Sequence, residues 1–78
     1  MDTFLGLLNK ANKIAVTCET PAGSITSAGE KLSYWVEDGE MEITTDNFDL
    51  MLDIVKADFS DSGDTIRYGD ITYTLDFT

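Results

Sequence analysis

Residues 41–59, MEITTDNFDLMLDIVKADF, decide how the rest of the chain is read. The stretch reads as the end of a strand, a capping signal, and then a helix over 46–57. At about 100° per residue, Phe48, Leu50, Met51, Leu52, Ile54, Val55 and Phe59 sweep roughly 200° of a helix circumference. Asp49, Asp53 and Lys56 fill the remaining arc, and Asp53 with Lys56 forms an i,i+3 charge pair. Thr45 or Asp46 can cap the N-terminus, and Asp46 and Asp49 stand where the helix dipole favours negative charge. An apolar surface this broad on a short helix predicts deep packing against a sheet.

The sheet is read from the flanking segments. Residues 31–44 form the clearest hairpin, because Asp38-Gly39 is a preferred dipeptide for a two-residue turn. That turn pairs Val36 with Met41 and Tyr34 with Ile43. Leu32, Tyr34, Val36, Met41 and Ile43 then share the face that receives the helix. Ser33, Trp35, Glu37, Glu40, Glu42 and Thr44 share the other, with Glu37 directly across from Glu40 as a like-charge pair. Residues 65–77 form a second hairpin about Gly69-Asp70, where glycine in first place suits a type II′ turn. Its register puts Ile66, Tyr68, Ile71, Tyr73, Leu75 and Phe77 on one face.

Ahead of these, residues 2–12 make a short helix with Phe4, Leu7, Leu8 and Ala11 on one stripe, weakened by Gly6. Alternation then places Ile14, Val16 and Cys18 on one side of a strand and Thr17 and Glu19 on the other. The turn signal at Thr20-Pro21-Ala22-Gly23 leads into a weak Ser/Thr-rich edge strand over 24–28. The expectation is a single acidic α+β domain over 1–78, ordered α-β-(β)-β-β-α-β-β. It has a mostly antiparallel sheet of four to six strands with two helices packed on one face.

Composition narrows function more by exclusion than by assignment. With 78 residues the chain is near the size where one core just suffices, and 42% hydrophobic content argues for a folded rather than disordered domain. Fifteen acids against five bases give a net charge of −10, which opposes binding to nucleic acid or anionic membrane and points to basic partners. One cysteine, Cys18, excludes an intramolecular disulfide. The N-terminus lacks the basic region and apolar run of a signal peptide, and no apolar run approaches the roughly 20 residues of a membrane span. The expectation is a cytoplasmic protein, read as an entire small gene product because it starts at Met and shows no tag or linker.

No catalytic motif is present. The sequence has no histidine, which removes the commonest general base, the commonest metal ligand and every Ser/His or Cys/His pair. Cys18, in an alternating apolar strand, reads as a small core residue, and the glycines fit neither a dinucleotide nor a P-loop pattern. The segment 58–64 comes nearest to a cation loop. On the EF-hand pattern Asp58, Ser60 and Ser62 take positions 1, 3 and 5 and Gly63 takes position 6. Position 12 needs a bidentate Glu and is Gly69, so the segment reads as a solvated loop, with weak cation binding as the alternative. No metal, no cofactor and no enzymatic activity are expected.

The acids are distributed unevenly. Glu37, Asp38, Glu40, Glu42, Asp46, Asp49, Asp53, Asp58, Asp61 and Asp64 lie within residues 37–64 with one base, Lys56, so nine of the ten net charges fall there. They are interleaved with folded elements rather than gathered in a tail, so folding fixes them on a rigid surface. Such an array can occupy a groove in which Lys and Arg otherwise pair with phosphates. The plain alternative is an acidic face kept for solubility. Trp35, outward in the hairpin register, is a candidate interface anchor beside Glu42; cover by the N-terminal helix or by a second copy is its structural alternative.

In size, charge and compact character the chain resembles phage-encoded inhibitors of bacterial immunity, including anti-CRISPR and anti-restriction DNA mimics. The resemblance extends over no alignable segment. It implies a host-cytoplasm protein that blocks a nucleic-acid-binding enzyme or complex by occupying its basic surface. The contact set is then Trp35 with the ten acids of 37–64. The second reading is a small structural or assembly subunit, a homo-oligomer formed through an exposed strand edge or Trp35.

Overall fold

A computed structural model describes residues 2–78. Asp38 and Gly39 both take positive φ, 52° and 78°, the left-handed pair that a type I′ turn requires. They join β3 (Ser33–Glu37) to β4 (Glu40–Thr44), with Val36 opposite Met41, Tyr34 opposite Ile43 and Glu37 opposite Glu40. The Gly69-Asp70 turn, with Gly69 at φ 56°, likewise joins β7 (Thr65–Tyr68) to β8 (Ile71–Phe77). Both hairpins have the register that their turn residues dictate.

The segment expected as the second helix is instead a strand. β5 (Asp49–Asp53) pairs antiparallel with β4, setting Leu52 opposite Met41 and Leu50 opposite Ile43. Period two therefore sorts its side chains: Leu52 is buried, Leu50 partly so, and Met51 faces solvent. Val55, placed on the helix's apolar arc by sequence, is 79% exposed. What remains of the helical signal is one turn over 54–56. The Asp53 side chain accepts hydrogen bonds there from the amides of Val55 and Lys56, and the Ala57 amide donates to the Asp53 carbonyl.

The expected architecture, two helices on one face of a single sheet of four to six strands, is thereby corrected. The fold is mostly β, with two antiparallel sheets and, among the described residues, the single short helix α1 (Asp2–Lys10). The larger sheet has the order β2-β1-β8-β7-β6, where β1 is Lys13–Thr20, β2 Gly23–Glu30 and β6 Asp58–Phe59. The smaller sheet, β3-β4-β5, is inserted between its two halves. Pairing of β1 with β8 joins the two halves of the larger sheet and sets Val16 opposite Leu75 and Ile14 opposite Phe77.

One core forms where the apolar faces of both sheets meet α1. Phe4 and Leu8 come from the helix, Ile14, Val16, Ile66 and Leu75 from the larger sheet, and Met41, Ile43 and Leu52 from the smaller. Phe4 is fully buried, its ring 5.1 Å from that of Phe59 and 5.9 Å from that of Phe77. No charged or polar residue is buried among those described, as expected for a small domain with little area to offset an ion's desolvation.

Polar ties fix the smaller sheet against the helix and against the larger sheet. Tyr34 Oη donates to Asn9 on α1 at 2.8 Å, and Tyr68 Oη donates to the Asp53 carbonyl at 3.0 Å. The β4–β5 connection lies against the end of β2, where Asn47 Nδ2 donates to the Ala28 carbonyl and Asp46 exchanges two hydrogen bonds with Glu30. Gly29 allows this approach, because a methyl group there would overlap the Thr45 side chain. With those ties in place, the outer face of the smaller sheet is a fixed surface.

Candidate functional site

The outer face of β3-β4-β5 is built in three cross-strand rows. Trp35, Glu42 and Met51 form the middle row, Glu37, Glu40 and Asp53 one flank, and Ser33, Thr44 and Asp49 the other. Strand geometry spaces neighbours within a row by about 4.8 Å and successive rows by about 6.8 Å. Asp38 adds a carboxylate at the β3–β4 turn. None of the fifteen residues in the three strands is a cation. Lys56 reaches Asp53 at 3.8 Å from the following turn, with its own side chain 80% exposed.

Trp35 is the aromatic residue of this face, on its edge strand β3. It is 53% exposed, so α1 does not cover it, and its indole Nε1 donates to Glu42 Oε1 at 2.9 Å. That bond turns one carboxylate into a brace for the indole and holds the side chain in place. Met51, also 53% exposed, stands on the far side of Glu42. Trp35 and Met51 with Glu37, Asp38, Glu40 and Glu42 line a shallow depression of about 260 Å³. Aromatic and flexible thioether groups ringed by carboxylates can receive an aliphatic stem that ends in a cation.

Of the eleven residues read from sequence as the contact set, the structure brings seven together here: Trp35, Glu37, Asp38, Glu40, Glu42, Asp49 and Asp53. The other four lie elsewhere. Asp46 is engaged with β2, its Oδ1 accepting from the Glu30 amide at 2.8 Å. Asp58 belongs to the larger sheet and is compensated by Arg67 at 3.5 Å. Asp61 and Asp64 sit in the β6–β7 loop. Met51 is a member of the face that sequence reading assigned to the core.

The β6–β7 loop is organised around Asp64. Its Oδ1 accepts from the hydroxyls of Ser62, Ser60 and Thr65. The Ser62 hydroxyl above all, helped by those of Ser60 and Thr65, holds the carboxyl below its ordinary 3.8, although burial pushes the other way. Asp58 faces Arg67 across the β6–β7 ladder, so the residues aligned with a calcium loop are directed at protein groups. Among the described residues no three carboxylate or thiol groups converge on one point.

A larger depression, about 530 Å³, lies where the 45–48 connection meets β1 and β2. It carries both signs of charge, with Lys13 paired to Glu30 at 3.2 Å, and its Asp46 is already bonded. Volume therefore favours this depression, while charge and an exposed aromatic favour the Trp35 face. The Trp35 face is the better candidate because its carboxylates, apart from Glu42 and Asp53, are not spent on neighbours among the described residues.

These features define a class: a small antiparallel two-sheet protein carrying an anionic face with one exposed aromatic. No protein-family model, no curated protein and no solved structure matches the chain. No helix among the described residues is long and apolar enough to cross a membrane.

Proposed function

We propose that the chain is a non-enzymatic binding protein whose β3-β4-β5 outer face docks on a basic surface of a protein partner. The partner is a nucleic-acid-binding enzyme or complex, and docking inhibits it by occupying the site of the nucleic acid. One observation carries the reading: Trp35 stands exposed beside Glu42 on a face that bears six carboxylates and whose own strands supply no cation. Interfaces draw affinity from such aromatic anchors, while a surrounding field of one sign speeds encounter and selects the partner's charge. The acidic row Glu37-Glu40-Asp53 adds support, because like charges placed opposite one another cost stability that a purely structural sheet has no reason to give up.

The contact set is accordingly the seven residues of this face together with Met51; Asp46, Asp58, Asp61 and Asp64 are left out of it. The test is a pull-down from lysate of the source cells, followed by a gel-shift assay on each captured nucleic-acid-binding protein. Wild type is expected to displace the nucleic acid, and more weakly at high salt, since exposed charges are screened over about 8–10 Å. The variant Glu37→Gln/Glu40→Gln/Glu42→Gln/Asp49→Asn and the variant Trp35→Ala should each lose this competition while keeping the circular dichroism of the wild type. Equal competition by wild type and the quadruple variant would falsify the proposal.

A further inference from the structure

β2 is the longest strand at an edge of either sheet, eight residues against two for β6 and five each for β3 and β5. Its hydrogen-bonding groups alternate between two directions. Lys13 of β1 spends its carbonyl on Thr78 at the β8 side, so among the opposed pairs of β1 and β2 those of Ile14 with Gly29, Val16 with Ser27 and Cys18 with Ile25 are the hydrogen-bonded ones. Even-numbered β1 residues therefore bond the odd-numbered residues of β2, and the even-numbered β2 residues point outward. Asn47 and Asp46 bear this out by taking the Ala28 carbonyl and both backbone groups of Glu30. The outward groups of Ser24 and Thr26 receive no partner in the described residues.

Four features single out this open stretch. From Thr20 to Gly29 the chain has no charged residue, on a protein of net charge −10. β2 has no proline and no lysine, the usual guards of an edge. Ile25, at its middle, is 73% exposed. The 45–47 connection guards only the Ala28–Glu30 end and so limits which register an added strand can take.

We infer that β2 pairs antiparallel with β2 of a second copy, Ser24 of each opposite Thr26 of the other, joining the two five-stranded sheets into one of ten strands. In that register the two open residues of each copy form hydrogen-bonded pairs. Ile25 meets Ile25 of the second copy at the two-fold axis as a non-hydrogen-bonded pair, where side chains come closest. The alternative with Thr26 opposite Thr26 calls on the Ala28 carbonyl that Asn47 already holds. A second copy is the occupant because Gly23–Gly29 is the longest uncharged run at a sheet edge: two chains of −10 repel elsewhere and meet here with least opposition. The paired strip is short, below the roughly 1,200 Å² of a standard interface, so the dimer is weak and concentration-dependent.

The test is sedimentation of the full chain from about 10 μM to about 1 mM, a range that brackets weak dissociation constants, at low and high sodium chloride. A dimer fraction that rises with concentration and with salt is expected, since salt screens like-charge repulsion; binding through the acidic face has the opposite salt dependence. Amide exchange at Ser24 and Thr26 should slow severalfold as the dimer forms. Ile25→Lys and Thr26→Pro should each abolish the dimer. Both leave the monomer folded by circular dichroism, because Ile25 is exposed and the Thr26 amide lies outside the β1 ladder. A monomer throughout, a dimer favoured by low salt, or dimerisation unchanged in both variants overturns the inference.

Discussion

Glu40 stands between Glu37 on one neighbouring strand and Asp53 on the other, with only an exposed lysine near the end of the row. Opposed like charges oppose folding, and opposite charges at the same spacing favour it by about 0.2–1 kcal/mol. Glu40→Lys is therefore expected to raise the urea midpoint of unfolding, unlike most surface substitutions, while weakening partner binding. A midpoint that falls would mean the row is not repulsive and would remove one support of the proposed function. Asp64 works in the other sense, serving the fold. Its carboxyl pKa is lowered by the Ser62 hydroxyl first, so the stability it contributes is present above the ordinary value of 3.8 and lost as pH falls through the lowered folded value. Asp64→Asn should be the less stable protein at neutral pH. The gap between the two thermal midpoints should close as pH drops below that ordinary value, and a gap constant with pH would show that ionisation of Asp64 contributes nothing.

β5 carries the chief lesson at the scale of elements. Read at period 3.6, its apolar residues fit one broad helical arc; read at period 2, Leu50 and Leu52 point one way and Asp49, Met51 and Asp53 the other. The pairing with β4 decides for period 2, because β4 buries Met41 and Ile43 fully and its open side needs a partner. A hint was present: Asn47, Phe48, Ile54, Val55 and three aspartates are indifferent helix formers. The two readings separate in the laboratory. Leu52→Ala should cost about 2–5 kcal/mol as a large core deletion, and Met51→Ala no more than about 0.5 kcal/mol as a surface change. Comparable losses in urea denaturation at the two positions would restore the helical arc. The hairpins were legible because Asp38-Gly39 and Gly69-Asp70 state their turn type locally, and with it the outward placement of Trp35, Glu37, Glu40 and Glu42. Asp49 and Asp53 join that face only through a pairing that sequence reading did not contain.

For the molecule as a whole, a run of acids along the chain proved a poor guide to a cluster in space. Residues 37–64 cross from one sheet to the other, so their ten carboxylates divide between the Trp35 face, the junction with β2, an Arg67 pair and a surface loop. The division into two sheets was also hidden, because it rests on β1 meeting β8 and no local signal announces a contact of that range. The result separates two tasks. The smaller sheet offers charge and an aromatic outward, and the larger offers an edge uncharged up to Gly29, so the proposed partner and the proposed second copy would not compete for one surface.

The meeting of β1 with β8 bears on how the protein comes into being. Val16 and Leu75, both buried, lie opposite each other at the centre of the larger sheet, yet almost the whole chain separates them. Closing so long a loop costs entropy before any contact rewards it, and folds dominated by such pairings reach the native state in milliseconds to seconds rather than microseconds. Until β8 has left the ribosome, β1 keeps an unpaired hydrogen-bonding edge on that flank. The nascent chain thus passes through a sticky interval, which its heavy negative charge is well suited to keep soluble.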